Sequence, residues 1–280
     1  VRQIEIKTRG LSRNVFAGQY HTAFKGRGMA FSEVREYQYG DDIRDIDWNV
    51  TARYVRPYIK VFEEERELTV MLLIDVSGSK NFGSVAQMKK DITTEIAATL
   101  AYSAIQNNDK IGLIFFSDKI EKFILPQKGK RHILYVIREL IDFQPDERKT
   151  NISQVLQYLT GAIKKRCTAF LISDFIDKRN YHDALTIANR KHDVVAIQVY
   201  DHRETELPDV GLMKIKDAET GAEQWIDCSS KKVRETYKKW WDSRQDEMDK
   251  ALKKCGVDSV SITTQDDYVK SLLALFAKRN

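Results

Sequence analysis

Four runs of the chain, LTVMLLID at 68–75, KIGLIFF at 110–116, TAFLIS at 168–173 and DVVAIQVY at 193–200, are apolar almost without interruption. A strand wetted on one side alternates polar and apolar residues. These runs do not, so each is suited to burial on both faces, as in a parallel sheet covered by helices above and below. The intervening stretches agree. Residues 85–106 carry Met88, Ile92, Ile96, Leu100 and Ile105 at helical spacing, with Ser84 placed to cap the start and Asn107, Asn108 and Asp109 to end it. Helices are also predicted over 131–141, 152–165 and 181–191. Residues 119–125 alternate and follow a tight turn at Ser117 and Asp118, which predicts an edge strand paired back on 110–116. The expected fold class is α/β, a doubly wound and mostly parallel sheet with helices on both faces.

Beyond residue 200 the pattern changes. Residues 212–216 and 223–228 flank DAETGA and read as a hairpin insertion within about 204–230, with Gly221 in the turn. Residues 231–254 form a long basic amphipathic helix with Val233, Tyr237, Trp240, Trp241, Met248 and Leu252 on its apolar positions, its lysines read as a solvated face. A strand at 259–263 and a helix at 266–278 follow. Upstream, residues 1–67 are dense in charge and aromatics and predict short strands and turns, with helical periodicity only at 1–11 and a half-exposed strand at 58–62 (YIKVF). This segment is expected to be a β-rich N-terminal extension packed on a main domain of 68–280. Asp41, Asp42, Asp45 and Asp47 stand beside Arg35, Arg44 and Arg53, which favours a salt-bridged network over a catalytic cluster.

Composition narrows the functional classes. At 42% hydrophobic and 31% charged the chain can bury a sizeable core, and its 46 lysines and arginines against 41 acids are too even to argue for nucleic acid. Cys167, Cys228 and Cys255 are far apart, without the C-x-x-C spacing or paired histidines of a zinc site, and read as buried thiols of a reducing, cytoplasmic setting. No apolar run approaches the ~20 residues needed to cross a bilayer, and the start lacks a signal-peptide core. The first residue is Val, which leaves room for native sequence before it.

The first strand ends abruptly in DVSGS. Asp75, Ser77 and Ser79, on a turn loosened by Gly78, can converge above the carboxyl edge of a sheet and offer oxygen ligands to a hard divalent cation. The same residues are ordinary turn formers, so the pentapeptide alone fits a plain turn about equally well. Asp174 stands at the end of its strand as Asp75 does.

The order of elements resembles the von Willebrand factor A domain, whose metal-ion-dependent adhesion site combines D-x-S-x-S with a distant threonine and a distant aspartate. Those positions fall on Asp75, Ser77 and Ser79, on Thr150 of RKTNIS, and on Asp174 of LISDF. The resemblance implies neutral hydroxyl ligands, aspartates often acting through water, and a cation that keeps enough charge to take an acidic side chain from a partner. Mg2+ suits such a set better than Mn2+ or Ca2+. The preceding segment, FKGRGMAFSEVREYQYGDDIRDIDWNV and onward, resembles the signature of the bacterial domain of unknown function 58 family, from about Phe24 to the C-terminus. That resemblance implies a cytoplasmic, non-enzymatic partner of MoxR-type AAA+ ATPases in chaperone-like maturation or stress responses. Two positions depart from the pattern: Lys80 follows the second serine where many such domains carry Met, and Phe175 follows Asp174 where many carry Gly.

Two other classes remain as alternatives. A metal-dependent phosphohydrolase using Asp75 as nucleophile would place a second carboxylate where Ser77 stands, and neither a G-x-S-x-G elbow nor a phosphate-binding G-x-x-x-x-G-K-[ST] loop occurs. His21, His132, His182, His192 and His202 form no recognisable pairing with a nucleophile. A nucleic-acid binder would use Arg2, Lys7, Arg9, Arg13, Lys25 and Arg27 with Tyr20 and Phe24 stacking, a pattern also common in packed extensions.

Overall fold

The computed structural model describes residues 17–24, 29–54, 56–64, 68–77, 83–84, 87–144, 149–177, 179–216 and 222–279. Its strands are β1 (Met29–Glu36), β2 (Tyr58–Glu64), β3 (Thr69–Asp75), β4 (Gly83–Ser84), β5 (Gln87–Met88), β6 (Lys110–Phe116), β7 (Ile120–Gln127), β8 (Thr168–Ser173), β9 (Asp193–Tyr200), β10 (Leu212–Lys216), β11 (Glu223–Asp227) and β12 (Asp258–Thr263). Its helices are α1 (Ala17–Phe24), α2 (Trp48–Thr51), α3 (Lys89–Gln106), α4 (Lys130–Asp142), α5 (Ile152–Ala162), α6 (His182–Lys191), α7 (Lys231–Lys254) and α8 (Tyr268–Arg279). The chain divides into two units, one of 24–68 and one of 1–23 with 69–280.

The larger unit is built on a six-stranded sheet in the order β12-β9-β8-β3-β6-β7. All neighbours are parallel except β6 and β7, which form the antiparallel edge pair. This is the α/β class with a mostly parallel sheet that the sequence predicts. The apolar runs dictate it: β3, β6, β8 and β9 are buried along nearly their whole length, so helices must cover both faces. One core layer joins Met71, Leu73, Ala169, Leu171 and Ala196 to Leu156 and Leu159 of α5 and Leu185 of α6. Helix α3 packs with α4 and α8 and is buried along most of its length, with Ile92, Ile96 and Leu100 almost fully enclosed. Tyr20 of α1 belongs to this unit as well, its ring 6.4 Å from Phe170 and 5.9 Å from Phe276, centroid to centroid.

Several boundaries shift from expectation. Helix α3 begins at Lys89, not 85, because Gly83 and Ser84 pair with Met88 and Gln87 in a two-residue ladder; the capping place is taken by Met88, whose backbone N–H donates to Asp91. Helix α5 stops at Ala162, where Ile163 turns extended. Helix α1 has no counterpart in the expected pattern, and the helical reading of 1–11 lies outside the described residues, as do Gly221 and the basic positions Arg2, Lys7, Arg9, Arg13, Lys25 and Arg27.

In the smaller unit β1 and β2 form an antiparallel pair with a register shift between Phe31 and Glu33. The acidic group is spent on structure: Asp41 takes a bidentate bond from Arg35 at 2.9 and 2.8 Å, Asp42 pairs with Arg44, and Asp47 caps α2 through the N–H groups of Asn49 and Val50. The Arg44 guanidinium holds the Asp42 carboxyl down at about 2, helped by the Arg44 N–H.

At the amino-terminal edge of the large sheet, His192 is fully enclosed beside Cys167, its Nδ1 3.3 Å from the thiol sulfur; among the described residues Nε2 has no hydrogen-bond partner. Burial, with Lys191 and Arg166 nearby, pushes its pKa from 6.5 to about 4. The unfolded chain therefore takes up this proton first. Its contribution is intact above pH 6.5 and is lost as the pH falls toward about 4. Urea unfolding at stepped pH should show an extra loss of about 1 kcal/mol per unit in that window, absent in His192→Gln; equal slopes for the two proteins would refute the assignment.

Candidate metal centre at the carboxyl edge of the sheet

Strand β3 lies between β6 and β8, and its last residue, Asp75, is paired with Phe116. The Val76 N–H donates to the Phe116 carbonyl at 2.8 Å, so the chain leaves the sheet still anchored to β6. The Ser77 N–H then donates to Asp75 Oδ1 at 2.9 Å, the side-chain-closed turn that aspartate favours. On the other side, Ser173 at the end of β8 donates its hydroxyl to Asp75 Oδ2 at 2.6 Å and accepts the Phe175 N–H at 3.0 Å. Asp75 is thus held by donors on both oxygens while only 1% exposed.

Thr150 comes to this edge by a separate route. The Asn151 N–H donates to the carbonyl of Ser117, the residue after β6, at 2.8 Å, and the Asn151 side chain caps α5. The Ile152 N–H donates to Asp177 Oδ2 at 2.9 Å, which ties the same loop to the segment following Asp174. Loop 150–152 is therefore pinned to the ends of both β6 and β8. Asp75, Ser77, Thr150 and Asp174 all lie at one edge of the sheet, and all are buried. Ser79, with Gly78 and Lys80, lies outside the described residues.

Phe175, where the resemblance expects Gly, has φ +57°. This left-handed conformation costs a side-chain-bearing residue about 1–2 kcal/mol. It is offset by burying the ring, which is 3% exposed, and by the N–H bond to Ser173.

The structure also brings in two residues that the motif does not contain. Lys89, the first residue of α3, places its ammonium 3.1 Å from Asp174 Oδ2 and 2.7 Å from Glu204 Oε1, with only 2% of its side chain exposed. Burial alone would lower the Lys89 pKa, but the attraction of Asp174 and Glu204 outweighs it and the net shift is upward. Glu204 is shifted up by its own burial, against the opposing pull of Lys89. Its second oxygen accepts the Asp201 N–H at 2.9 Å, and its backbone carbonyl accepts the Tyr237 hydroxyl at 3.0 Å. One signal for Lys89 was present in the sequence: positions 89, 92, 96 and 100 lie on one helix face, so a lysine stands in register with an apolar stripe and needs a buried partner.

The donor chemistry fits a small hard cation on the Asp75 side. Asp75 contributes a buried carboxylate, the hard oxygen donor such an ion prefers. The Thr150 hydroxyl makes no hydrogen bond among the described residues although Thr150 is only 5% exposed, an unused oxygen at the rim. Among the described residues no three His, Cys, Asp or Glu side chains gather into a metal cage, so any ion here would depend on hydroxyls and water. Beside Asp174 opens a cavity of about 840 Å³, lined by Phe175, Tyr181, Trp240, Trp241 and Arg244 among others. The Arg244 guanidinium donates to the Phe175 carbonyl at 3.0 Å and lies 5.6 Å from the Trp240 ring centroid.

Residues 33–247 match the model of a family described as "Protein of unknown function DUF58". The whole chain is 26% identical over 281 residues to the uncharacterized protein Rv1480 of Mycobacterium tuberculosis (strain ATCC 25618 / H37Rv), covering 88% of that protein. It is 31% identical over 110 residues to the uncharacterized protein YeaD of Bacillus subtilis (strain 168), covering 39% of this chain and 25% of YeaD. Among solved structures it is similar to an aerotolerance-related membrane protein from Bacteroides fragilis NCTC 9343 carrying multiple mutations to serines. That match has a TM-score of 0.52 at 14% identity, over 75% of this chain and 99% of the other. The likeness extends to the fold.

Proposed function

The chain belongs to the DUF58 family, and from that footing we propose that it is a non-enzymatic protein-interaction module whose working end is the carboxyl edge of the large sheet. The observation that carries the reading is the convergence there of Asp75, Ser77 and Thr150 with the Ser173–Asp174 turn, drawn from three separate parts of the chain. Asp75, Ser77, Ser79 and Thr150 would hold the ion, with Asp174 as the fifth and outer member, and Mg2+ suits the set better than Mn2+ or Ca2+. When bound, the cation supplies a position of positive charge that an acidic side chain of a partner can complete. The chain's own residues do the rest. Ser173 and the Ser77 N–H hold Asp75 in one orientation, and burial of Asp75 and Thr150 limits competing water. The cavity beside Asp174, with the half-exposed Trp240 on its wall, gives the partner's neighbouring residues a place to lie.

The partner we propose is a MoxR-type AAA+ ATPase in a cytoplasmic setting. Among the described residues no helix is long and apolar enough to cross a membrane. A phosphohydrolase reading gains no support, because the second carboxylate such chemistry uses is replaced by Ser77.

Affinity capture from the source cell tests the reading, with bound proteins identified by mass spectrometry. A MoxR-type ATPase should be retained in Mg2+, released by EDTA, and absent when Asp75→Ala is the bait. Retention that ignores both chelation and the substitution would sink the metal-mediated reading.

A further inference from the structure

Lys89 is a cation built into the protein beside the candidate site. Its ammonium bridges Asp174 and Glu204, which lie 85 and 115 residues away in the chain, and all three side chains are largely or wholly removed from solvent. The second oxygen of Asp174 accepts the Ile176 N–H at 3.0 Å. Asp174 can therefore turn toward a divalent ion at the Asp75 turn only by sharing or giving up an ammonium.

We infer that Lys89 is a resident counter-ion that competes with the divalent cation for Asp174, with Glu204 as the place to which the ammonium withdraws when Asp174 engages the ion. The inference rests on the metal-site reading above and adds a control to it. A doubly charged ion near Asp174 repels the ammonium, and at low effective dielectric that repulsion is costly unless Lys89 can move its contact elsewhere. Glu204 already holds the ammonium at the shorter distance, 2.7 against 3.1 Å, so the withdrawal needs no new partner. Two consequences follow. The carboxyl edge keeps a compensating positive charge and stays folded without metal, and the ion is held loosely enough for an acidic group on a partner to decide its occupancy.

A charge-preserving variant separates competition for Asp174 from bulk electrostatics. Lys89→Gln with Glu204→Gln removes one positive and one negative charge, leaves the net charge of the triad unchanged, and takes the ammonium away from Asp174. Titration calorimetry with Mn2+ as the probe should show it binding at least about tenfold tighter than the parent chain, and Asp174→Asn added to the double variant should cancel that gain. Equal affinity in the parent and the double variant overturns the inference. Asp75→Asn, run alongside, should abolish Mn2+ binding in both backgrounds; undiminished binding would instead overturn the metal-site reading, and no Mn2+ binding by parent or double variant would overturn both. Should the double variant fail to fold by circular dichroism, Glu204→Gln alone decides. It leaves the ammonium wholly to Asp174 and should weaken Mn2+ binding at least threefold, and an unchanged affinity is again the overturning result.

Discussion

Lys89→Ala should lower the stability of the chain by about 3–5 kcal/mol, read from urea midpoints at neutral pH. The cost does not come from losing two ordinary ion pairs. Lys89 has 2% of its side chain exposed, Asp174 4% and Glu204 14%. Removing the ammonium therefore leaves two carboxylates facing each other with little water to screen them. An exposed pair gives the control. Arg138 and Asp142 on α4 are separated by 3.4 Å but stand largely in solvent, and Arg138→Ala should change stability by no more than about 0.5 kcal/mol. Adding Glu204→Gln to Lys89→Ala should recover part of the loss, because a single buried carboxylate that keeps the Ile176 N–H is less costly than an opposed pair. A loss below about 1 kcal/mol for Lys89→Ala would mean that water reaches the triad, contrary to its burial.

What could be read from the sequence, and what could not, divides along a physical line. Continuous apolar runs fix buried strands, and strands separated by helical stretches fix a parallel order, so β6, β8 and β9 fall where KIGLIFF, TAFLIS and DVVAIQVY predict, and β3 falls within LTVMLLID, one residue after its start. Helix α7 spans the predicted 231–254 because its amphipathic pattern is long and uninterrupted. Helix α1 escaped because it is only eight residues long and takes its place from Tyr20 lodging between Phe170 and Phe276, a contact no local pattern encodes. The start of α3 shifted because pairing of Ser84 with Gln87 outcompeted a capping role for Ser84.

The site divides in the same way. Asp75 and Asp174 were visible because each ends an apolar run, and in a parallel sheet such ends meet at one edge. The Ser173 bond to Asp75 was not visible, since Ser173 looked like the last residue of a strand and nothing more. Nor was Glu204, which lies after β9 within the stretch expected to form a hairpin insertion. Its role depends on β9 lying beside β8, so that the chain leaving β9 returns to Asp174 and Lys89.

The second large effect concerns Asp75 and separates what the carboxylate does for the fold from what it does for a ligand. Asp75→Ala strands two buried donors, the Ser77 N–H and the Ser173 hydroxyl, and should cost about 2–5 kcal/mol in urea unfolding. Asp75→Asn keeps an oxygen for the Ser77 N–H, and the Ser173 hydroxyl can accept from the new amide instead of donating to a carboxylate. That exchange should cost only about 1 kcal/mol. The amide is neutral and cannot anchor a hard cation as a carboxylate does, so on the proposed reading Mg2+ should raise the melting temperature of the parent chain and leave that of the folded asparagine variant unchanged. Differential scanning calorimetry of the three proteins in EDTA and in millimolar Mg2+ measures both effects together. If the asparagine variant kept the full Mg2+ response, Asp75 would be a bracket for the β8 turn and the ion would be held elsewhere. If it instead lost as much stability in EDTA as the alanine variant, the negative charge itself would be what secures the β3 and β8 termini to each other.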